Sequence, residues 1–200
     1  MSSKNKYGKF KKKDYVRIVE NVVYYLCDKF GYRIKPYVFE TELPPNALMM
    51  FTHKPGAYAI VYDYKQFKEK FGCRDFETQE AYAAAIAAHE MRHYYQHRQM
   101  IAKKPLEKAE IIARWRENED DPKCWEDSYS ILDFCLQPLE LDAVLYEYVF
   151  GAEIFEKALI QVICNEEHFD ALEKLYVEYF GETDPDIFND EIRNILRNKA

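Results

Sequence analysis

Ala83–Arg98 reads AAAIAAHEMRHYYQHR, and within it stand His89, Glu90, Met91, Arg92 and His93. On a helix of 3.6 residues per turn, positions four apart lie about 40° from each other around the axis, so His89 and His93 project from one face. Two imidazoles placed that way can hold one zinc ion. Glu90 sits about 100° from His89 and can lean over the same spot, close enough to take a proton from a water held there. The pattern is HExxH, and its chemistry requires that the stretch be helical.

The flanks supply a helix. Asp75 or Thr78 can cap its start, and Glu77 and Glu80 put negative charge near the positive end of the helix dipole. The run Ala81–Ala88 has the highest helix propensity in the chain. Arg98, Lys103 and Lys104 follow at the other end, and Pro105 stops further extension. The competing reading is a solvated helix with two incidental histidines.

Two hundred residues, 48% hydrophobic and 16% aromatic, suit one globular domain with an ample core. Seventeen Tyr should crowd the core boundary, where a ring is buried and its hydroxyl stays wet. A net charge of −7 gives no field that draws the chain to nucleic acid or to an anionic membrane. The exception is local, since six Lys fall in the first thirteen residues, MSSKNKYGKFKKK. Residues 1–13 are expected to be a flexible basic tail, and residues 14–200 a single domain. No apolar segment resembles a signal peptide or a membrane span, so the cytoplasm is the expected compartment. Cys27, Cys73, Cys124, Cys135 and Cys164 have no metal-binding spacing and are expected to be reduced thiols.

Helical periodicity recurs over Asp14–Phe30, with Gly31 as its stop, and an extended stretch is expected over Tyr32–Glu42. Ala47–Thr52 and Ala57–Tyr64 flank His53-Lys54-Pro55-Gly56, which predicts a β-hairpin. A short helix over Lys65–Phe71 then leads to the motif helix. Helices are expected over Leu106–Glu117, Trp125–Phe134, Pro138–Phe150, Ala152–Cys164, His168–Phe180 and Asp186–Asn198. Pro138 suits the first position of its helix. The fold class is therefore α+β, mostly helical, with a small sheet of about three strands before the HExxH helix.

A zinc that keeps one position open for water takes three protein ligands, so two histidines leave one to be found. His97 lies one turn further along the same helix, but three successive positions on a straight helix do not converge on a tetrahedral ion. No glycine turns the chain there, which assigns His97 to the surroundings of the site or to the surface. A better candidate lies in Pro138-Leu139-Glu140-Leu141-Asp142-Ala143-Val144-Leu145-Tyr146.

Here the chain resembles the gluzincins, in which a glutamate on a later helix completes a HExxH site. More narrowly, HEMRH followed by ELDAVLY resembles the pattern of the ImmA/IrrE-like metallopeptidases. The resemblance spans roughly Ala47 to Phe150 and implies a zincin-like fold with one zinc per chain. His89, His93 and Glu140 would be its ligands and Glu90 its general base. The chain departs from the pattern at Met91-Arg92, and Val144 stands where thermolysin-like enzymes have the aspartate that orients a histidine. Glu147, on the same helical face as Glu140, and Asp133 are the candidates for orienting a histidine, each with solvation or capping as its alternative.

These residues predict a zinc metallopeptidase, a hydrolase acting on polypeptide substrates. The residue that would stabilise the oxyanion and the oligomeric state are open in the sequence. The alternative from another class is a noncatalytic zinc-containing helical interaction or regulatory protein of phage or mobile-element origin. There Cys135 or His97 would fill the fourth coordination position.

Overall fold

The structure is a computed structural model that describes residues 9–122, 130–155 and 165–188. Its elements are α1 (Lys12–Lys29), β1 (Tyr37–Glu40), β2 (Met49–Lys54), β3 (Ala57–Tyr62), α2 (Tyr64–Phe71) and α3 (Phe76–Met100). They continue with α4 (Ala109–Asp120), α5 (Ile131–Cys135), α6 (Pro138–Phe155) and α7 (Glu166–Phe180). The class is α+β, mostly helical with one three-stranded mixed sheet. The chain divides into two compact units, Met1–Met91 and Arg92–Ala200, with the division inside α3.

In the first unit, β3 is the central strand of the order β1-β3-β2. β2 and β3 form the expected hairpin, pairing Phe51 with Ile60 and Lys54 with Ala57. Gly56 takes the turn with φ of 79°, a left-handed conformation that costs a residue with a Cβ more than it costs glycine. β1 runs parallel to β3 and is shorter than the expected stretch. Gly31 at φ 71° ends the turn after α1, and Pro36, which has no N–H to donate, immediately precedes the strand.

Aromatic rings fill the space between α1, the sheet and α2. Tyr15 is fully buried, 4.5 Å from the ring of Phe67 and 5.3 Å from that of Tyr62. Burying a side chain such as Phe67 stabilises by roughly 1.5–3 kcal/mol. Order extends into the expected basic tail: Phe10 is buried against Phe67 and Phe76, and Lys12 and Lys13 belong to α1. A large apolar ring overrides the surrounding lysines, whose amino groups can stay wet. Residues 1–8 of that tail lie outside the described residues.

Asp75 rather than Thr78 caps α3. Its Oδ1 accepts from the Thr78 N–H at 2.8 Å, and the Thr78 hydroxyl donates to Oδ2 at 2.9 Å. Asp75→Ala is expected to cost about 1 kcal/mol, read as a lower urea midpoint at unchanged slope. The solvated-helix alternative fails on burial: Ala81, Ala83, Ala84, Ala85, Ala87 and Ala88 are all buried. A helix apolar around most of its circumference belongs inside a protein.

In the second unit, Val144, Leu145 and Tyr148 of α6 pack with Phe169, Leu172 and Leu175 of α7 and with Ile187 and Phe188. The Tyr148 hydroxyl donates to the Ile187 carbonyl at 2.7 Å, so the ring is buried without losing its hydrogen bond. α4 starts three residues later than the periodicity suggests and runs on to Asp120. Half of the expected helix over Trp125–Phe134 and most of those over Ala152–Cys164 and Asp186–Asn198 lie outside the described residues. Cys27, Cys73 and Cys135 are thiols, while Cys124 and Cys164 are outside the described residues. Among the described residues no helix is long and apolar enough to cross a membrane.

Candidate functional site

α3 runs unbroken from Phe76 to Met100, so helix geometry alone sets His89 and His93 one turn apart on one face. Met91 and Tyr94, which point elsewhere around the axis, are fully buried and anchor the helix. In the second unit, Nε2 of His93 lies 3.5 Å from Oε1 of Glu140, with 18% and 20% of the two side chains exposed. His89 precedes His93 by one turn of α3, and Glu140 is the carboxylate that approaches His93. The group is assembled by two local relations, a shared helix and the His93–Glu140 approach.

Two imidazoles and a carboxylate are a zinc donor set, and the spacing suits it. Zinc bonds of about 2.0–2.2 Å give a tetrahedron with edges of roughly 3.3–3.6 Å. The His93–Glu140 separation of 3.5 Å falls in that range. The residues present therefore fit a zinc ion.

Glu140 is placed by the start of α6. Pro138 opens the helix where a missing N–H is not felt. The next N–H, that of Leu139, donates to Oδ1 of Asn118 on α4 at 3.0 Å. Asn118 also donates through Nδ2 to Oε1 of Gln137 at 2.8 Å, tying α4 to the residue before α6.

Glu90 is positioned within the first unit. Its Oε2 accepts from the backbone N–H of Phe51 at 2.6 Å, and β2, which carries Phe51, is an edge strand of the sheet. A charge-assisted bond of this length fixes the carboxylate's rotation. The hairpin thus has a direct link to the second residue of the motif.

Arg92, which departs from the family pattern, has a partner that explains it. Its Nε and Nη2 donate to Asp142 at 2.8 and 3.0 Å, a bidentate pair. The guanidinium also lies over the rings of Tyr95, Tyr146 and Trp115 at 4.5, 5.2 and 5.7 Å. Asp142 is 1% exposed and takes two more donors, Gln96 Nε2 at 2.6 Å and the Tyr179 hydroxyl at 2.7 Å. Burial pushes its carboxyl up, but the Arg92 charge and these hydrogen bonds together hold it below the usual range. Burial, reinforced by Asp142, pushes the Tyr179 hydroxyl well above a free phenol.

The chain matches no family model, no curated protein and no solved structure. The site is read from its own residues.

Of the expected supporting residues, Asp133 has the capping role: the N–H and hydroxyl of Ser130 both donate to its Oδ2, at 3.0 and 2.7 Å. Glu147 is buried on α6, 3% exposed, beside the apolar core residues Leu145 and Tyr148. His97 faces Glu119 of α4, its Nδ1 3.6 Å from Oε1. Val144, at the position of the orienting aspartate in thermolysin-like enzymes, is a core residue. A side chain that does contact a histidine of the group is Gln96, whose Oε1 lies 2.9 Å from Nδ1 of His93. The signal available in the sequence is its spacing: Gln96 is three residues after His93, a neighbour on the helix surface.

Proposed function

We propose that this chain is a zincin-class, gluzincin-type metallopeptidase that holds one zinc per chain and hydrolyses peptide bonds. The observation that carries the reading is the approach of Glu140 to His93, 3.5 Å between ligand atoms, with His89 one turn earlier on the same helix. A three-stranded sheet before the motif helix and the ELDAVLY segment around Glu140 support the class. The resemblance to the ImmA/IrrE-like metallopeptidases rests on HEMRH and ELDAVLY.

His89, His93 and Glu140 would hold the ion, leaving a fourth position open. Bound there, zinc supplies Lewis acidity toward a carbonyl oxygen and makes a water more acidic. Glu90 is the proton acceptor of the proposed reaction and later returns the proton to the leaving amine. The Phe51 N–H holds one oxygen of that carboxylate, so the base is oriented before substrate arrives. The substrate is a polypeptide, and the reaction class is acyl transfer to water.

Metal analysis of the purified chain tests the centre. One zinc per chain is expected for the wild type, and His93→Ala and Glu140→Ala are expected to lose it, because two ligands hold the ion poorly. Glu147→Ala serves as the control on the same helix. Full zinc occupancy in Glu140→Ala together with its loss in Glu147→Ala would move the third ligand two turns along α6.

A further inference from the structure

An amide side chain donates at one end and accepts at the other, so its orientation decides what it offers a neighbour. Gln96 is 1% exposed, and both of its ends are engaged. One end lies 2.9 Å from the Leu139 carbonyl oxygen and 2.6 Å from Oδ2 of Asp142. A backbone carbonyl can only accept. Asp142, already accepting from Arg92 twice and from Tyr179, is an acceptor at that oxygen too. That end of Gln96 is therefore the NH₂ group.

Its other end, Oε1, has no hydrogen to give and lies 2.9 Å from Nδ1 of His93. The contact is a hydrogen bond only if Nδ1 carries the proton. The lone pair of the neutral ring then sits on Nε2, the nitrogen that is 3.5 Å from Glu140. We propose that Gln96, held by Asp142 and the Leu139 carbonyl, is a positioning residue that fixes the tautomer and ring rotation of His93 and so presents Nε2 as the ligand atom. This rests on the metal-centre reading above. Arg92 gains a role as well, since by locking Asp142 it locks the amide that orients a ligand on its own helix.

Gln96→Met keeps the volume but removes the acceptor facing His93. Gln96→Glu keeps an acceptor facing His93 and removes only the hydrogens given to Leu139 and Asp142. Nitrogen-15 NMR of the histidine rings is read first, on metal-free protein in alkaline buffer where the imidazoles are neutral. The wild type and Gln96→Glu are expected in the Nδ1–H form, and Gln96→Met is expected to shift toward Nε2–H. Zinc affinity, by competition with a chromophoric chelator, is then expected to fall about 10- to 100-fold in Gln96→Met and to be largely retained in Gln96→Glu.

An Nε2–H ring in the wild type would overturn the proposal. So would equal zinc losses in both variants with the tautomer unmoved, the signature of a merely structural glutamine. Since the tautomer is read without metal, a wild type with the expected tautomer that takes up no zinc would sink the metallopeptidase reading and leave the Gln96–His93 relation standing.

Discussion

With Glu90 replaced by Gln, peptide hydrolysis is expected to fall by about 10²- to 10⁴-fold while zinc content and thermal stability stay near those of the wild type. Glutamine keeps the side chain's length, and its Oε1 can still accept the Phe51 N–H that now bonds Glu90 at 2.6 Å. The tie between hairpin and helix therefore survives. What is lost is basicity, because an amide does not accept the water's proton. The assay offers unfolded polypeptides to both proteins and reads new termini by mass spectrometry. Equal cleavage by the two would expose a contaminating peptidase. Absence of cleavage from both, with zinc bound and a Cys or His spectroscopically in the fourth position, would favour the noncatalytic regulatory protein instead.

The parts of the molecule legible in the sequence are those governed by local periodicity. α1, the β2–β3 hairpin, α3 and the proline-led start of α6 follow from spacing, turn residues and caps within a few positions of each other. His89 and His93 are legible for the same reason, since four residues on a helix is a geometric statement. The parallel pairing of β1 with β3 is not legible, because it depends on a contact across Tyr37 and Ala59 that no turn signal announces. Phe10 reads as tail because two aromatics, Tyr7 and Phe10, among six lysines are too few to establish a period.

The supporting residues show the same limit more sharply. Asp133 and Glu147 are natural candidates for orienting groups because they are acidic and near Glu140 in sequence. Asp133 instead caps α5, a role set by Ser130 three residues before it. Gln96 is neutral and looks incidental. Its role depends on Leu139 and Asp142, 43 and 46 residues away, and on the orientation those acceptors impose. Arg92 looks foreign to the motif for a related reason, its explanation being a carboxylate 50 positions further on.

That carboxylate makes the largest stability prediction. Asp142→Ala is expected to lower the free energy of unfolding by about 3–5 kcal/mol, because it leaves the guanidinium of a buried arginine without its bidentate partner. Arg92 is 8% exposed, and its remaining carboxylate neighbour, Glu107, is 3.5 Å away with 21% of its side chain exposed, so compensation is partial. The Gln96 amide and Tyr179 hydroxyl lose an acceptor in the same substitution. Arg92→Met alone strands the opposite charge. The double variant Arg92→Met/Asp142→Ala removes both charges and should cost less than the sum of the singles by about 0.5–3 kcal/mol. Urea unfolding followed by circular dichroism, with a chelator present so that metal binding does not contribute, measures the cycle. Additive singles would mean that the pair's mutual attraction contributes nothing beyond each residue's own packing. A positive coupling would instead show that Arg92 and Asp142 stabilise each other in the folded chain, in the arrangement where Oδ2 of Asp142 also accepts from the glutamine that faces His93.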